Sequence, residues 1–205
     1  MKTKQSKTIS EKLTDEQKEI LVGIILGDGH LETQNNGRTY RLKVEHSIKQ
    51  KEYVDYLYQI FKEFTISAPK ERTRISLGKE LKSYGFMTIS SDIFRFYGQQ
   101  FYHNGKKVMP KIIFKLFSQK SLAMWFMDDG SYKSVHHKTY IIHSNCYTKD
   151  ELELIKDVFE KKFGIKVGIH KQYSQWRLYV YSESAQLFKN IIEPYILPSL
   201  KYKLG

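Results

Sequence analysis

The chain has 205 residues, 40% of them hydrophobic, enough for a buried core in one large domain or in two small ones packed together. Its 34 Lys and Arg against 22 Asp and Glu leave a net charge of +12, which calls for a polyanionic partner: DNA, RNA or an anionic membrane surface. The single cysteine, Cys146, excludes an intrachain disulfide and a thiolate metal cluster and fits a reducing intracellular compartment, while the longest apolar run, 20–26, is too short to span a bilayer.

The first twelve residues, MKTKQSKTISEK, are polar and lysine-rich and are expected to form a flexible basic tail. Thr14 with Gln17 makes a capping-box pattern that starts a helix, and Gly29 is placed to stop it in a left-handed turn. The helix ends in Ile20-Leu-Val-Gly-Ile-Ile-Leu-Gly-Asp-Gly29, apolar nearly all round and therefore buried. Tyr40-Arg-Leu-Lys-Val-Glu-His46 alternates as a strand with one apolar face. A helix over 51–64 follows, then a basic hairpin in which Lys70 to Ser76 turns at Gly78 into 81–89. Ser90-Ser-Asp-Ile-Phe94 opens another helix with a polar cap, and Lys106-Lys-Val-Met-Pro110 closes the series.

The series then repeats. Ser121-Leu-Ala-Met-Trp-Phe-Met-Asp-Asp-Gly130 is a second apolar helix, running from Ser118 to a stop at Gly130, and its last aspartate lies about half a chain length beyond Asp28. Lys138-Thr-Tyr-Ile-Ile-His-Ser144 is strand-like, Thr148 with Glu151 caps a helix that Gly164 stops, and 165–172 turns back into 176–181. Ser182-Glu-Ser-Ala-Gln-Leu-Phe188 and Pro198-Ser-Leu-Lys-Tyr-Lys203 match the closing pieces of the first half. The ordered correspondence indicates an internal duplication: an α+β fold with antiparallel sheets, a half over 13–115 and a half over 116–205. The joining stretch, 102–119, is not Gly/Ser-rich and is expected to be packed.

Gly23 and Gly27 lie four apart on one face and leave room for another helix, so the two apolar helices are expected to pair. Asp28 and Asp129 then sit together at helix C-termini, where the macrodipole disfavours carboxylates and like charges repel. A divalent cation resolves that conflict, and carboxylate and carbonyl oxygens are the ligands Mg²⁺ prefers. A metal beside a strongly basic surface points to phosphodiester hydrolysis. Alternation in the strands places Arg41 and Lys43, then Lys70, Arg72 and Arg74, and in the second half Lys166, His170 and Gln172, on one face each. Tyr84 and Arg177 on the returning strands, together with Arg38, Lys82, Lys138 and Tyr140, complete the expected DNA-binding set, since a two-stranded ribbon fits the major groove. His46, His136, His137 and His143 fit no common metal-binding spacing and are read as strand and loop residues.

Leu21-Val-Gly-Ile-Ile-Leu-Gly-Asp-Gly29 and Leu122-Ala-Met-Trp-Phe-Met-Asp-Asp-Gly130 resemble the two signature motifs of the LAGLIDADG homing endonucleases, in their single-chain, two-motif branch. The resemblance runs over about 13–204, with WFMDDG and PYILPSLKYKL its most specific strings. Leu26 and Met124 depart from the signature at positions that carry packing. The resemblance implies an αββαββα unit repeated once about a pseudo-twofold axis, with the motif helices at the centre and saddle-shaped sheets against DNA. It implies metal at Asp28 and Asp129, helped by the carbonyls of Gly27 and Asp128, with Mg²⁺ as the ion and Mn²⁺ able to substitute. It also implies a basic residue beside each metal, Lys107 (with Lys106 its near rival) and Lys203 by motif position, and cleavage across the minor groove leaving short 3′ overhangs. The expected function is a site-specific double-strand DNA endonuclease acting as a monomer on a long asymmetric site, with no membrane role. The alternatives are an intron maturase, for which intron RNA is the partner, and a catalytically silent DNA-binding regulator. The Lys-, Ile- and Tyr-rich composition suits an AT-rich genome, placing the protein in a bacterial cytoplasm or an organelle matrix.

Overall fold

The computed structural model describes residues 10–205, so most of the expected N-terminal tail lies outside the described residues. The first half runs α1 (Asp15–Leu26), β1 (His30–Glu32), β2 (Arg41–Ser47), α2 (Lys51–Phe61), β3 (Lys70–Ser76), β4 (Lys79–Met87) and α3 (Arg95–Phe101). A small hairpin, β5 (Tyr102–His103) and β6 (Lys106–Lys107), and a short helix, α4 (Ile113–Leu116), lead into the second half. That half runs α5 (Gln119–Asp129), β7 (Gly130–Tyr132), β8 (Tyr140–Ile142), α6 (Lys149–Phe163), β9 (Val167–Gln172), β10 (Gln175–Val180) and α7 (Ala185–Ile192), and closes in 3₁₀ turns ending at Pro198–Leu204. The αββαββα order occurs twice, and the two four-stranded antiparallel sheets share one topology, β1-β2-β4-β3 and β7-β8-β10-β9.

Local chemistry fixes most element ends. The Thr14–Gln17 and Thr148–Glu151 capping boxes are both formed, and Gly164 ends α6 in the left-handed region, φ +70°. The end of α1 departs from expectation. The helix stops at Leu26, and Gly29 is not left-handed; its N–H donates to the Ile24 carbonyl at 2.7 Å. Side chains from elsewhere in the chain, described below, satisfy this end instead. The joining stretch is packed as expected, with Met109, Ile113 and Phe117 buried.

Helices α1 and α5 pair at the centre of the molecule, and both are buried nearly all round. Gly23 is the close-approach point. A Cβ added there would lie 2.5 Å from both Met124 Cβ and the Ser121 carbonyl oxygen. Met124 of α5 stands in the space that Gly23 leaves, and Gly27, four residues on, makes room in the same way for Asp128. Ser121 Oγ donates to the Glu19 carbonyl at 2.7 Å and ties the helices at their other end.

Candidate metal-binding active site and DNA face

The helix pair brings Asp28, Asp128 and Asp129 to one end of the molecule, each in a different setting. The Asp28 side chain is 52% exposed, whereas that of Asp128 is fully buried. Asp128 crosses to the first helix, where its Oδ2 accepts the Asp28 N–H at 2.9 Å. It has room because Gly27 has no side chain: a Cβ there would collide with the Asp128 carboxylate. Asp129 Oδ2 accepts from Trp125 Nε1 at 3.1 Å, within its own helix. Burial, then the charge of Asp28, pushes Asp128 up to about 7; burial, then Asp128 and Asp28, does the same to Asp129.

Each half supplies one lysine to the end of its own motif helix. Lys107 Nζ donates to the Gly27 carbonyl at 2.5 Å, and Lys203 Nζ donates to the carbonyls of Met127 and Asp128 at 2.5 and 2.9 Å. Cations at helix C-termini complement the dipole and the orphan carbonyls, and this is how α1 ends without a left-handed glycine. Burial holds both lysines below the usual lysine range, against the pull of the three aspartates. The two carbonyls expected to assist a metal therefore each accept from a lysine.

Sequence reasoning missed two members of this cluster. The His46 imidazole, only 3% exposed on the inner face of β2, has Nδ1 3.5 Å from Asp28 Oδ2 and Nε2 3.9 Å from Asp128 Oδ1. Tyr53 of α2 is fully buried, and burial and then the neighbouring Asp128 charge raise its phenol well above the usual range. Asp128 itself was expected to contribute only its carbonyl. Alternation already put His46 beside Leu42 and Val44 on the inner face. Nothing local shows that this end of the face meets the aspartates.

The expected DNA face divides. In the first sheet Arg41, Lys43, Lys70, Arg72 and Arg74 share the outer face by strand register. Glu45 lies among them, within 3.6 Å of Lys43 Nζ and 3.1 Å of Arg72 Nη1, and it accepts from Ser83 Oγ at 2.7 Å. Arg41 pairs with Glu32 at 2.8 Å, and Arg38 is exposed in the loop before β2. In the second sheet His170, Gln172 and Arg177 share a face with Tyr179, which the sequence reading did not single out. Lys133 Nζ stacks 4.7 Å from the Tyr179 ring centroid and joins the same surface.

Five expected members sit elsewhere. Tyr84 pairs with His46 and turns to the helix side, buried, its hydroxyl donating to Asp55 at 3.0 Å. Lys82, two residues earlier, has the parity of Tyr84 rather than of Arg72. Tyr140 is in the core against Phe126 and Phe188, its hydroxyl donating to the Leu204 carbonyl at 3.0 Å. Lys166 lies before β9, paired with Glu183 at 3.0 Å, and Lys138 occupies a loop in a left-handed conformation, φ +42°. The two tyrosines were misplaced because strand parity depends on the pairing register, a non-local property.

Comparison with known proteins gives a consistent picture. The profile of the LAGLIDADG DNA endonuclease family matches residues 18–188. A "Probable intron-encoded endonuclease 1" of Wickerhamomyces canadensis is 30% identical over 194 residues, covering 92% of this chain and 83% of that protein. A "Cytochrome b mRNA maturase bI2" of Debaryomyces hansenii is 33% identical over 199 residues, covering 94% and 75%. Among solved structures, the homing endonuclease I-WcaI bound to its DNA recognition sequence superposes with a TM-score of 0.89 at 28% identity, over 96% of this chain and 88% of that one. The structure of I-DmoI with DNA and Ca matches in fold, with a TM-score of 0.53 at 16% identity, over 88% and 91%.

Proposed function

The chain belongs to the LAGLIDADG DNA endonuclease family and is a DNA endonuclease of the homing type, and we propose that Asp28 and Asp129 are the carboxylates that hold divalent metal for hydrolysis of the two DNA strands. The observation that supports this most is the end of the helix pair. Three carboxylates meet there, two of them pushed up to about 7, and a half-buried lysine stands over each helix. Such a cluster is costly on its own, and its hard oxygen donors suit a divalent cation. Asp128, its side chain fully buried, adds a third carboxylate to the same place. Mg²⁺, with Mn²⁺ able to substitute, supplies when bound the charge that offsets attacking and leaving oxygens at a scissile phosphate.

The chain's own residues supply the rest. Asp28 faces solvent beneath the first sheet and Asp129 lies beneath the second, so each carboxylate serves one strand. Lys107 and Lys203 are held beside the carboxylates by helix-end carbonyls, where they position water and offset charge on the phosphate. Arg41, Lys43, Lys70, Arg72 and Arg74, and in the second half His170, Gln172 and Arg177, hold the duplex. The two faces differ in residue type, which fits one monomer on a long asymmetric site. The halves over 13–115 and 116–205 are the units that bind the two half-sites.

Relatives named as cytochrome b mRNA maturases support a second reading, in which the basic surface also binds intron RNA. The names of the intron-encoded relatives fit an organelle matrix as the setting. Among the described residues no helix is long and apolar enough to cross a membrane. Selection of cleaved sites from a randomised DNA library with Mg²⁺, in parallel with splicing of precursor RNA, separates the two activities. Recovery of one long non-palindromic site, bound 1:1 in sedimentation, is the expected result. Splicing activity with no DNA cut at any site would overturn the endonuclease reading.

A further inference from the structure

We propose that His46 is a nitrogen ligand of the cation held at Asp28, with Asp128 fixing its ring, so that the first metal site carries a donor set the second lacks. The inference rests on the reading of Asp28 as a metal-binding carboxylate. His46 presents one ring nitrogen to each of two aspartates, Nδ1 to the exposed Asp28 at 3.5 Å and Nε2 to the buried Asp128 at 3.9 Å, with the Gln50 side chain also within reach of the ring. Both separations are too long for ordinary hydrogen bonds. However, two donors each about 2.1 Å from one ion lie about 3 to 3.5 Å apart, which is the spacing of Nδ1 and Asp28 Oδ2. One donor atom from each of Asp28, His46 and Asp128 falls within 4.8 Å of the others.

The buried end of the ring supports this assignment. A histidine that ligates metal through one nitrogen gives its other N–H to a carboxylate, which fixes tautomer and orientation. Asp128 Oδ1 is buried between the His46 ring and the Tyr53 hydroxyl, which also interacts with this carboxylate, while its Oδ2 already accepts the Asp28 N–H. Asp128 thus lies between the ring of one ligand and the backbone of the other.

The second half has no counterpart. The registers His30↔Lys43 and Ser131↔Ile141 place His46 in correspondence with Ser144, whose hydroxyl donates to the Trp176 carbonyl. The position matching Asp128 is Gly27, which has no side chain, and Asp129 leans on Trp125 instead. An imidazole at the Asp28 site raises its preference for Mn²⁺ and Co²⁺ over Mg²⁺ compared with an all-oxygen site.

Pulsed EPR of the DNA-free protein with one equivalent of Mn²⁺ tests the assignment. The expected spectrum shows ¹⁴N coupling from one imidazole, which His46→Gln removes and His30→Gln and His143→Gln retain. By equilibrium dialysis, Asp128→Asn weakens Mn²⁺ binding about 10- to 100-fold, as loss of an orienting carboxylate does. Circular dichroism checks the fold of each variant. Should His46→Gln not fold, the His30→Gln/His143→Gln double variant still reads out: loss of coupling there overturns the assignment. Bound Mn²⁺ without nitrogen coupling, coupling that survives His46→Gln, or no Mn²⁺ bound in the absence of DNA would each overturn it as well. The endonuclease reading survives any of these if Asp28→Asn still abolishes cleavage, so the two failures are distinguishable.

Discussion

Asp128 of the second motif helix accepts the backbone N–H of Asp28 on the first at 2.9 Å, so a residue of one half shapes the site of the other. The contact depends on the close approach of α1 and α5, which Gly23 and Gly27 allow. The helix pair is thus both the centre of the core and the frame of the proposed metal site.

Gly23→Ala tests that frame. The added methyl would overlap Met124 Cβ and the Ser121 carbonyl, and backbone cannot yield as a flexible side chain does. Destabilisation of about 1–3 kcal/mol is expected, as for other overpacked cores. Urea unfolding reads this directly, and an unchanged midpoint would mean the helices are not in contact there.

How Mg²⁺ stabilises the protein should depend on pH. Burial raises Asp128 and Asp129 to about 7, well above the usual carboxylate range, so their protonated forms favour folding below about pH 4 and that contribution is lost as pH rises through about 7. His46, lowered by burial, works in the opposite direction: its contribution is present above about 6.5 and fades as pH falls. At pH 8 the ionised carboxylates repel, and Mg²⁺ should raise the melting temperature; at pH 5 the protonated pair should leave little effect. Calorimetric scans with and without Mg²⁺ at both values check this, and equal shifts would contradict it.

Much of this was legible in the sequence. Thr148, Glu151 and Gly164 mark the ends of α6, because capping is a local property. Strand β3 over Lys70–Ser76 and the span of α5 were equally readable. The three-residue strands β1 and β7 were not, since so short a run shows no periodicity. Gly29 misled because Lys107 and Asp128, about 80 and 100 residues away, satisfy the end of α1 in place of a left-handed turn. His46, Tyr53 and the Asp128 carboxylate were hidden for the same reason: what they meet is set by how the helices cross.

The outer and inner faces of the first sheet predict opposite phenotypes. Arg72→Ala should weaken DNA binding, and if Arg72 reads a base it should relax specificity at one position by about 1–3 kcal/mol. Tyr84→Phe removes the hydroxyl bound to Asp55 and should cost about 1 kcal/mol of stability with DNA affinity unchanged. Gel-shift titrations beside thermal melts separate the two. A Tyr84→Phe defect in binding alone would put that ring on the DNA side.

Lys107→Ala and Lys203→Ala should slow single-turnover cleavage by about 10²-fold or more, the usual cost of removing a charge-stabilising group. With about ten phosphate contacts elsewhere, log K against log salt should keep a slope near −9 in both variants. Weak binding with normal cutting would reduce the lysines to ordinary phosphate contacts.

The central claim is that one carboxylate at the end of each motif helix serves each strand. The most direct measurement is cleavage of the selected DNA site with Mg²⁺ by Asp28→Asn and by Asp129→Asn, with strand-specific labels and binding followed in parallel. Each variant should bind DNA with near wild-type affinity and make no double-strand break. Either one cutting both strands at near wild-type rate would contradict the account.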